Sequence, residues 1–337
     1  MKRRDALRSM ALAPLAVPLV RPVLAAGPEN AVDAYREALG KVPTLTDDDK
    51  NRLNDVAGMP LDGIATDLVG RAAPALELLA AGASRPSCDW GDTWVGDGFE
   101  HVTDWIMQAR PLARLSMLRA RLAFESGRAT AGIDQAIAVL RFARHLGQGG
   151  VMIAQLIGMA IEHETIAAVA VPLPRLDRVA LRTLDTRFLD LPAIPDISST
   201  VRAEKAFFLG YVVSHDPKEA AKLGPLTPWY DRLIAACTDP TALDAMRSES
   251  KSDAEKTQFF DSFDGHRRAR VYADVKRALL RAAIAVASHG PGAIDRIPDP
   301  FDGRPFGLRT WSTGFELTSR FALEKKPNAA LIVGKRA

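Results

Sequence analysis

Apolar residues recur at helical spacing over much of the chain. Leu115, Leu118 and Leu122 repeat at intervals of three or four residues, Gly127 interrupts them, and the same period then resumes. Glycines close this second run at Gly150. Two periodic segments joined by a glycine predict a helical hairpin, beginning near Pro111.

The segment Val151–Val171 is almost wholly apolar. A helix that is apolar on all sides is buried on most of its faces, so this segment predicts a central helix. Five polar residues interrupt it: Gln155, Glu162, His163, Glu164 and Thr165.

The same period predicts further helices, separated by proline and glycine. They span Asp33–Leu39, Ile64–Ala81, Asp177–Leu189, Ser199–Val213, Pro228–Cys237, Ala242–Phe260 and His266–Ser288. We expect Pro74 to kink or split the second of these. Thr46, followed by three aspartates, predicts a capped helix start. No repeat of fixed length recurs, so no named repeat family is predicted. The predicted fold is mainly α, an array of antiparallel helical hairpins around the central helix.

The C-terminal region has a different pattern from the helical part. Asp299–Gly303 carries turn residues, and two short segments of alternating apolar residues follow, separated by Thr313 and Gly314. This pattern predicts a β-hairpin module over 299–321, docked on a helical domain over 27–298. Lys325, Lys326 and Pro327 predict that 322–337 is a flexible tail.

The N-terminus is typical of an export signal. Residues 1–26 contain a basic start, an apolar run and small residues at Ala25 and Ala26. Arg3 and Arg4 are typical of the twin-arginine route, whereas Sec export stays an alternative. Prolines within the apolar run make it a poor membrane helix. We therefore expect an exported protein, periplasmic or extracellular, without a stable transmembrane anchor after signal cleavage.

Composition narrows the classes of partner. The chain has 337 residues, 47% of them hydrophobic, and a formal net charge of +3. The predicted signal carries +4, so the remainder is near −1, which removes electrostatic support for nucleic-acid binding. Two cysteines, Cys88 and Cys237, are too few for a four-cysteine zinc site. They form either one disulfide bridge or two unpaired thiols.

The sequence "IEHET" gives the first candidate catalytic site, with Glu162, His163 and Glu164 in a buried helix. A zinc-protease helix needs a second histidine four residues after the first, where this chain has Ala167. General acid or base chemistry by a buried carboxylate beside an imidazole remains a hypothesis. The alternative is that these polar groups are satisfied at the rim of the helix.

A tryptophan-rich segment, Cys88–Trp105, gives the second candidate site. Aromatic rings beside carboxylates suit a sugar or a cationic peptide. The candidate ligand-binding residues are Trp90, Asp92, Trp94 and Asp97. The alternative is a structural loop that buries Trp90. We predict no metal site and no cofactor.

Glu204 is a further catalytic candidate. Its alternative role is an ion pair with an arginine across a helix interface, and Arg267 and Arg268 lie on a later predicted helix. The sequence has no phosphate-binding glycine loop, nucleophile elbow or triad-like spacing.

Five motifs resemble exported helical proteins of unknown function that are abundant in planctomycetes and related bacteria. They are "CDWG" (88–91), "LARLSMLRARLAFESGR" (112–128), "LRFARHLG" (140–147), "AQLIGMAIE" (154–162) and "DPFDGRPF" (299–306). The last is also similar to the tail of type II secretion major pseudopilins, but the aspartate-rich calcium loop of that tail is missing. The resemblance implies a helical fold with a small closing sheet; it implies neither an activity nor calcium binding.

These observations favour a binding or scaffold component of the bacterial envelope over an enzyme. The partner would be an envelope protein or a small ligand. Two alternatives stay open: a periplasmic hydrolase that uses carboxylates of the central helix or the tryptophan-rich loop, and an accessory factor of a secretion system.

Overall fold

The computed structural model of the protein describes residues 29–90, 98–215, 226–323 and 327–335. The prediction of a mainly α-helical fold with a small C-terminal β element is confirmed. Helices occupy most of the described chain, and an antiparallel sheet of three strands in the order β1-β2-β3 closes it.

The elements follow the chain in a simple order. The helices are α1 (Val32–Gly40), α2 (Asp47–Leu53), α3 (Gly63–Ala83), α4 (Gly98–Glu125), α5 (Ala129–Gln148), α6 (Met152–Ala170), α7 (Arg178–Leu189), α8 (Ile197–His215), α9 (Leu226–Ala236), α10 (Pro240–Ser250) and α11 (Ala254–His289). Short 3-10 helices span Leu173–Arg175 and Pro291–Arg296. The strands are β1 (Gly307–Trp311), β2 (Gly314–Ala322) and β3 (Asn328–Gly334).

Local sequence signals explain where several helices begin and end. The Thr46 side chain accepts a hydrogen bond from the Asp49 amide, and the Asp49 carboxylate accepts one from the Thr46 amide. This capping box satisfies amides that the first turn of α2 leaves unpaired. Gly127, with φ of 73°, makes the tight turn of the α4–α5 hairpin.

Helix α6 is the central helix that its composition predicts. It packs against α5, α4, α11 and β3, with most of its residues buried. By length and composition alone, Met152–Arg175 is apolar enough to cross a membrane. Its apolar sides are explained by its position in the core, because neighbouring elements cover them.

The apolar side chains form two clusters. The main core lies around α3 to α6 and the C-terminal half of α11. A smaller core holds Trp229, Leu233, Phe260 and Phe263, from α9 and the N-terminal half of α11. The long helix α11 therefore takes part in both cores.

The observed bounds of α11 differ from two predicted helix boundaries. We predicted helices over Ala242–Phe260 and His266–Ser288, but the chain breaks after Ser250 and then runs as one helix from Ala254. The Asp253 carboxylate accepts a hydrogen bond from the Lys256 amide, which favours a helix start there. Gly265 lowers the helix propensity of this segment, but the helix continues through it.

Neither Pro74 nor Pro111 divides its helix. Helix α3 is continuous through Pro74, and α4 begins at Gly98 and continues through Pro111 instead of starting there. Extensive packing of both helices in the main core offsets the lost amide hydrogen bond, because tertiary contacts override local propensity.

The predicted β-hairpin is confirmed. β1 and β2 pair antiparallel, with Leu308 opposite Leu317 and Thr310 opposite Phe315. The preceding turn is fixed by Asp299, whose carboxylate accepts hydrogen bonds from the Phe301 amide (3.0 Å) and the Ser319 hydroxyl (2.5 Å). The turn is therefore attached to β2 by one buried side chain.

The prediction of a flexible tail over 322–337 is wrong for 328–334, which form β3. This strand pairs with β2 and buries Ala329, Leu331 and Val333. An extended apolar segment can pair its buried backbone N–H and C=O groups only with a partner strand, and β2 provides that partner. The sheet packs on α11 through β2 and β3, which confirms that the hairpin docks on this helix.

The two cysteines are unpaired, so the possible disulfide between them is not formed. Cys88 lies in the main core and Cys237 in the smaller one, both buried. Burial raises the pKa of the Cys88 thiol to about 12 and that of Cys237 to about 11. Both thiols are therefore protonated and unreactive at neutral pH.

Candidate functional site

A cavity of about 810 Å³ opens between the helical core and the sheet. We call it the sheet cavity. Its walls come from the loop 57–61, the end of α4, one face of α6, α11 and the strand β3. Its volume is in the range typical of small-molecule sites.

Helix α6 contributes one face to this cavity. His163, Ala167 and Val171 lie four residues apart, which places them on one side of the helix. The His163 ring meets the edge of the Tyr272 ring, with 5.2 Å between the centroids. The candidate histidine of the sequence analysis therefore lines the cavity, half-buried beside an aromatic side chain of α11.

Lys276 on α11 provides a buried cation at this cavity. Its exposed fraction is 3%, and its Nζ donates a hydrogen bond of 2.5 Å to the carbonyl oxygen of Ala330. The ammonium also lies 6.0 Å from the centre of the Tyr272 ring. No carboxylate of the described residues forms an ion pair with it. Burial lowers the pKa of Lys276 to about 8, since a charged ammonium without a counter-ion is costly in an apolar environment.

Arg121 on α4 adds a second buried cation. Its Nη1 donates to the carbonyl oxygens of Val56 and Met59, the latter at 2.8 Å, and thereby holds the loop 57–61 against α4. Burial lowers its pKa, but an arginine remains charged at neutral pH. Glu125 at the rim is paired with Arg175 (2.9 Å), and its carboxylate also offsets part of the positive charge of Arg121.

The edge of β3 forms another wall. The Ala330 carbonyl accepts from Lys276, so it points away from β2, whereas the Lys335 carbonyl accepts from the β1–β2 hairpin. Backbone groups alternate along a strand, so those of Ile332 and Gly334 share the orientation of Ala330. Among the described residues, no other strand pairs with this edge.

Glu162 lies outside the sheet cavity, in a buried ion-pair network. Its Oε1 accepts from Arg144 Nη2 (2.8 Å) and Arg277 Nε (2.9 Å), and its Oε2 accepts from Arg277 Nη2 (2.7 Å). Burial raises the pKa of Glu162, but the two arginines outweigh it and hold the pKa below its usual range. A carboxylate held this way connects α5, α6 and α11 and is a poor proton acceptor.

Glu164 is engaged in a similar way. Arg114 binds both of its oxygens, at 2.8 and 3.0 Å, and Arg110 binds one of them. Burial raises the pKa of Glu164, but the two arginines lower it by more, so the net shift of the pKa is downward. These two ion pairs attach α4 to α6. Glu162, His163 and Glu164 therefore point in different directions and do not form one catalytic group.

Glu204 caps the N-terminus of the central helix. Its Oε1 accepts a hydrogen bond of 2.5 Å from the Met152 amide, where the positive end of the helix dipole favours a carboxylate. The approach of α8 is close, because a Cβ on Gly150 would lie 2.7 Å from the Cβ of Ala203. Arg267 and Arg268 both pair with Asp264.

The tryptophan-rich segment is described only in part. Trp90 is buried, and its Nε1 donates a 2.7 Å hydrogen bond to the carbonyl oxygen of His145. Its ring stacks on Tyr35 with 6.4 Å between centroids. The structural alternative therefore fits Trp90. Asp92, Trp94 and Asp97 lie outside the described residues.

Sequence reasoning missed the two buried cations, although one signal was present. Lys276 lies at helical spacing from Ala273, Leu280 and Ala283, all of them buried, so it occupies an apolar stripe. A lysine in such a stripe is either partnered or functional. Arg121 lies in the apolar part of α4 in the same way.

Comparison of the chain with protein-family models, with curated proteins and with solved structures finds no match. Among the described residues, no group of three histidine, cysteine, aspartate or glutamate side chains is arranged to hold a metal ion. The geometry of the sheet cavity is therefore the main basis for a functional proposal.

Proposed function

We propose that the protein is an exported binding protein of the bacterial envelope, and that its sheet cavity takes a ligand with a negatively charged group. One observation carries the proposal: Lys276 is buried at the cavity without a carboxylate partner among the described residues. Leaving a charge unpaired in the interior is costly, and an anionic ligand would offset this cost. Export rests on the basic, apolar and small residues of 1–26.

The residues around Lys276 indicate the chemical character of the rest of the ligand. Leu61, Ala167, Val171 and Ile332 supply apolar surface, whereas Arg121 adds a second positive charge. An apolar cavity with a few polar groups is the usual design of a ligand site, where the polar groups fix the orientation. The ligand therefore combines an anionic group with an apolar body.

Binding fits these groups better than hydrolysis by the carboxylates of the central helix. Glu162 and Glu164 each accept hydrogen bonds from two arginines, which leaves neither carboxylate available to activate a water molecule. The cavity itself presents cations and apolar side chains, and its carboxylate, Glu125, is paired with Arg175.

Calorimetric titration with carboxylates of increasing length, acetate, hexanoate and decanoate, tests the proposal. We expect measurable binding that strengthens with chain length, no comparable binding of hexanol or decanol, and at least tenfold weaker binding to Lys276→Met. Lys50→Met, which changes an exposed lysine on α2, is the matched control. Equal binding of alcohols and carboxylates, or unchanged affinity in Lys276→Met, would contradict the proposal.

A further inference from the structure

The free edge of β3 gives the sheet cavity a property that an ordinary apolar pocket lacks. The backbone groups of Ile332 point away from β2, and no described residue hydrogen-bonds to them. An unpaired strand edge is a template for another extended chain. Here the edge lines a cavity, with α6 and α11 beside it.

We infer that the sheet cavity binds the C-terminal end of an extended peptide, which adds to β3 as a fourth strand and places its α-carboxylate near Lys276. This inference rests on the proposed function and specifies its ligand class. Strand addition provides main-chain hydrogen bonds, and pockets for alternate side chains provide selectivity.

The positions of charge and apolar surface are complementary to such a peptide. Lys276 bonds to the outward-facing carbonyl of Ala330, so the cation lies directly beside the row of main-chain groups. Ala167 of α6 and Val171, which directly follows this helix, offer apolar contact to side chains of the added strand. A peptide terminus combines a carboxylate with alternating side chains and main-chain donors. A simple fatty acid has the carboxylate but lacks the side chains and the donors.

The pairing edge is tested by two substitutions at one position. Ile332→Pro removes the outward amide, and proline is tolerated on an edge strand because the lost N–H does not pair with β2. Ile332→Val keeps the amide and a similar side chain. We expect Ile332→Pro to weaken peptide binding at least tenfold and Ile332→Val to change it less than threefold. Circular dichroism and thermal unfolding establish that both variants fold.

The peptide itself provides a test that leaves the protein unchanged. The probe is fluorescein-labelled Ala-Val-Thr-Val-Thr-Val with a free C-terminus, compared with its C-terminal amide by fluorescence anisotropy. N-methylation of alternate residues gives two further peptides, one blocked on each edge. We expect amidation to weaken binding at least tenfold, and one N-methylated peptide to lose binding while the other keeps it.

The outcomes separate this inference from the proposed function. If hexanoate binds in a Lys276-dependent manner but the peptide does not, or if both N-methylated peptides bind equally, the ligand is a small anion and the strand-addition inference is wrong. If neither probe binds, both proposals fail. If sedimentation shows a dimer that Ile332→Pro dissociates, a second copy of the chain occupies the edge and the inference is also wrong.

Discussion

Arg277 binds both oxygens of Glu162 in the interior, through Nε at 2.9 Å and Nη2 at 2.7 Å. Arg144 binds the same carboxylate from α5. The three side chains join three helices, and the carboxylate is 3% exposed. Its charge is acceptable there only because both arginines accompany it.

Glu162→Gln should therefore destabilise the protein strongly. The substitution leaves the buried Arg144 without a carboxylate partner and leaves Arg277 with Asp274 alone. Breaking a buried pair from one side costs about 3–5 kcal/mol. Urea unfolding at pH 7 measures the loss. Glu37→Gln, at an exposed pair with Lys41, is the control and should cost under about 1 kcal/mol. A loss below about 1 kcal/mol in Glu162→Gln would show that the network adds little stability.

Stability should fall as the pH falls from about 6.5 to 4. Burial lowers the pKa of His145 and of His266 to about 4, whereas an unfolded histidine titrates near 6.5. In this window the unfolded chain binds more protons, so protonation favours unfolding, by up to about 3 kcal/mol for each histidine. The measurement is the free energy of unfolding against pH.

Substitution of single histidines identifies the residues that cause this pH dependence of stability. His266 is hydrogen-bonded to Gln155 (2.9 Å) in the interior, and His266→Gln should lower the slope of the pH profile by about half, because His145 still contributes. His289→Gln, at an exposed position, should leave the profile unchanged. A wild-type profile that is flat between pH 6.5 and 4 would rule out neutral buried imidazoles.

Much of the fold could be predicted because it depends on local signals. The hydroxyl of Thr46, the turn at Gly127 and the alternation around Phe315 each act within a few residues. β3 was missed because a strand depends on a distant partner, and its sequence alone is indistinguishable from an apolar tail. The sheet cavity was missed for the same reason: Arg121, Lys276 and its other walls are far apart in the chain.

Lys276→Met should stabilise the protein at pH 7 while weakening binding. The lysine pKa is lowered from an ordinary value near 10.5 to about 8, so the folded state carries a penalty when the amine is charged. Removing the amine should add about 3 kcal/mol, and losing the hydrogen bond to Ala330 should cost about 1 kcal/mol, so the net gain should be about 2 kcal/mol. Between pH 8 and 10.5 the unfolded chain binds more protons, so the wild type gains stability that the variant does not.

Urea unfolding of both proteins at pH 7 and pH 9.5 checks this expectation, with Lys50→Met as the control. The difference between Lys276→Met and the wild type should shrink at the higher pH. A variant that is less stable than the wild type at pH 7 would mean that the ammonium is already well compensated in the folded chain.

The export proposal gives a prediction for the native host. Mass spectrometry of the mature protein should find a start near Ala26 or Gly27, because small residues mark the predicted cleavage site. Replacing Arg3 and Arg4 by lysine should block transport if the twin-arginine route is used and leave it intact if the Sec route is used. Recovery of a cytoplasmic form that retains Met1 would contradict export.

β3 should be a stabilising part of the core. Leu331 is 2% exposed and packs in the main core, whereas its neighbour Ile332 is 40% exposed. Leu331→Ala should cost about 2–5 kcal/mol, because it leaves a cavity between the sheet and the helices. Ile332→Ala removes a branched aliphatic side chain from the adjacent position of the same strand and should cost under about 1 kcal/mol. Thermal and urea unfolding of the two variants decide between a docked strand and a loose end. If both substitutions cost equally little, the strand contributes nothing to the core and the sheet does not need it.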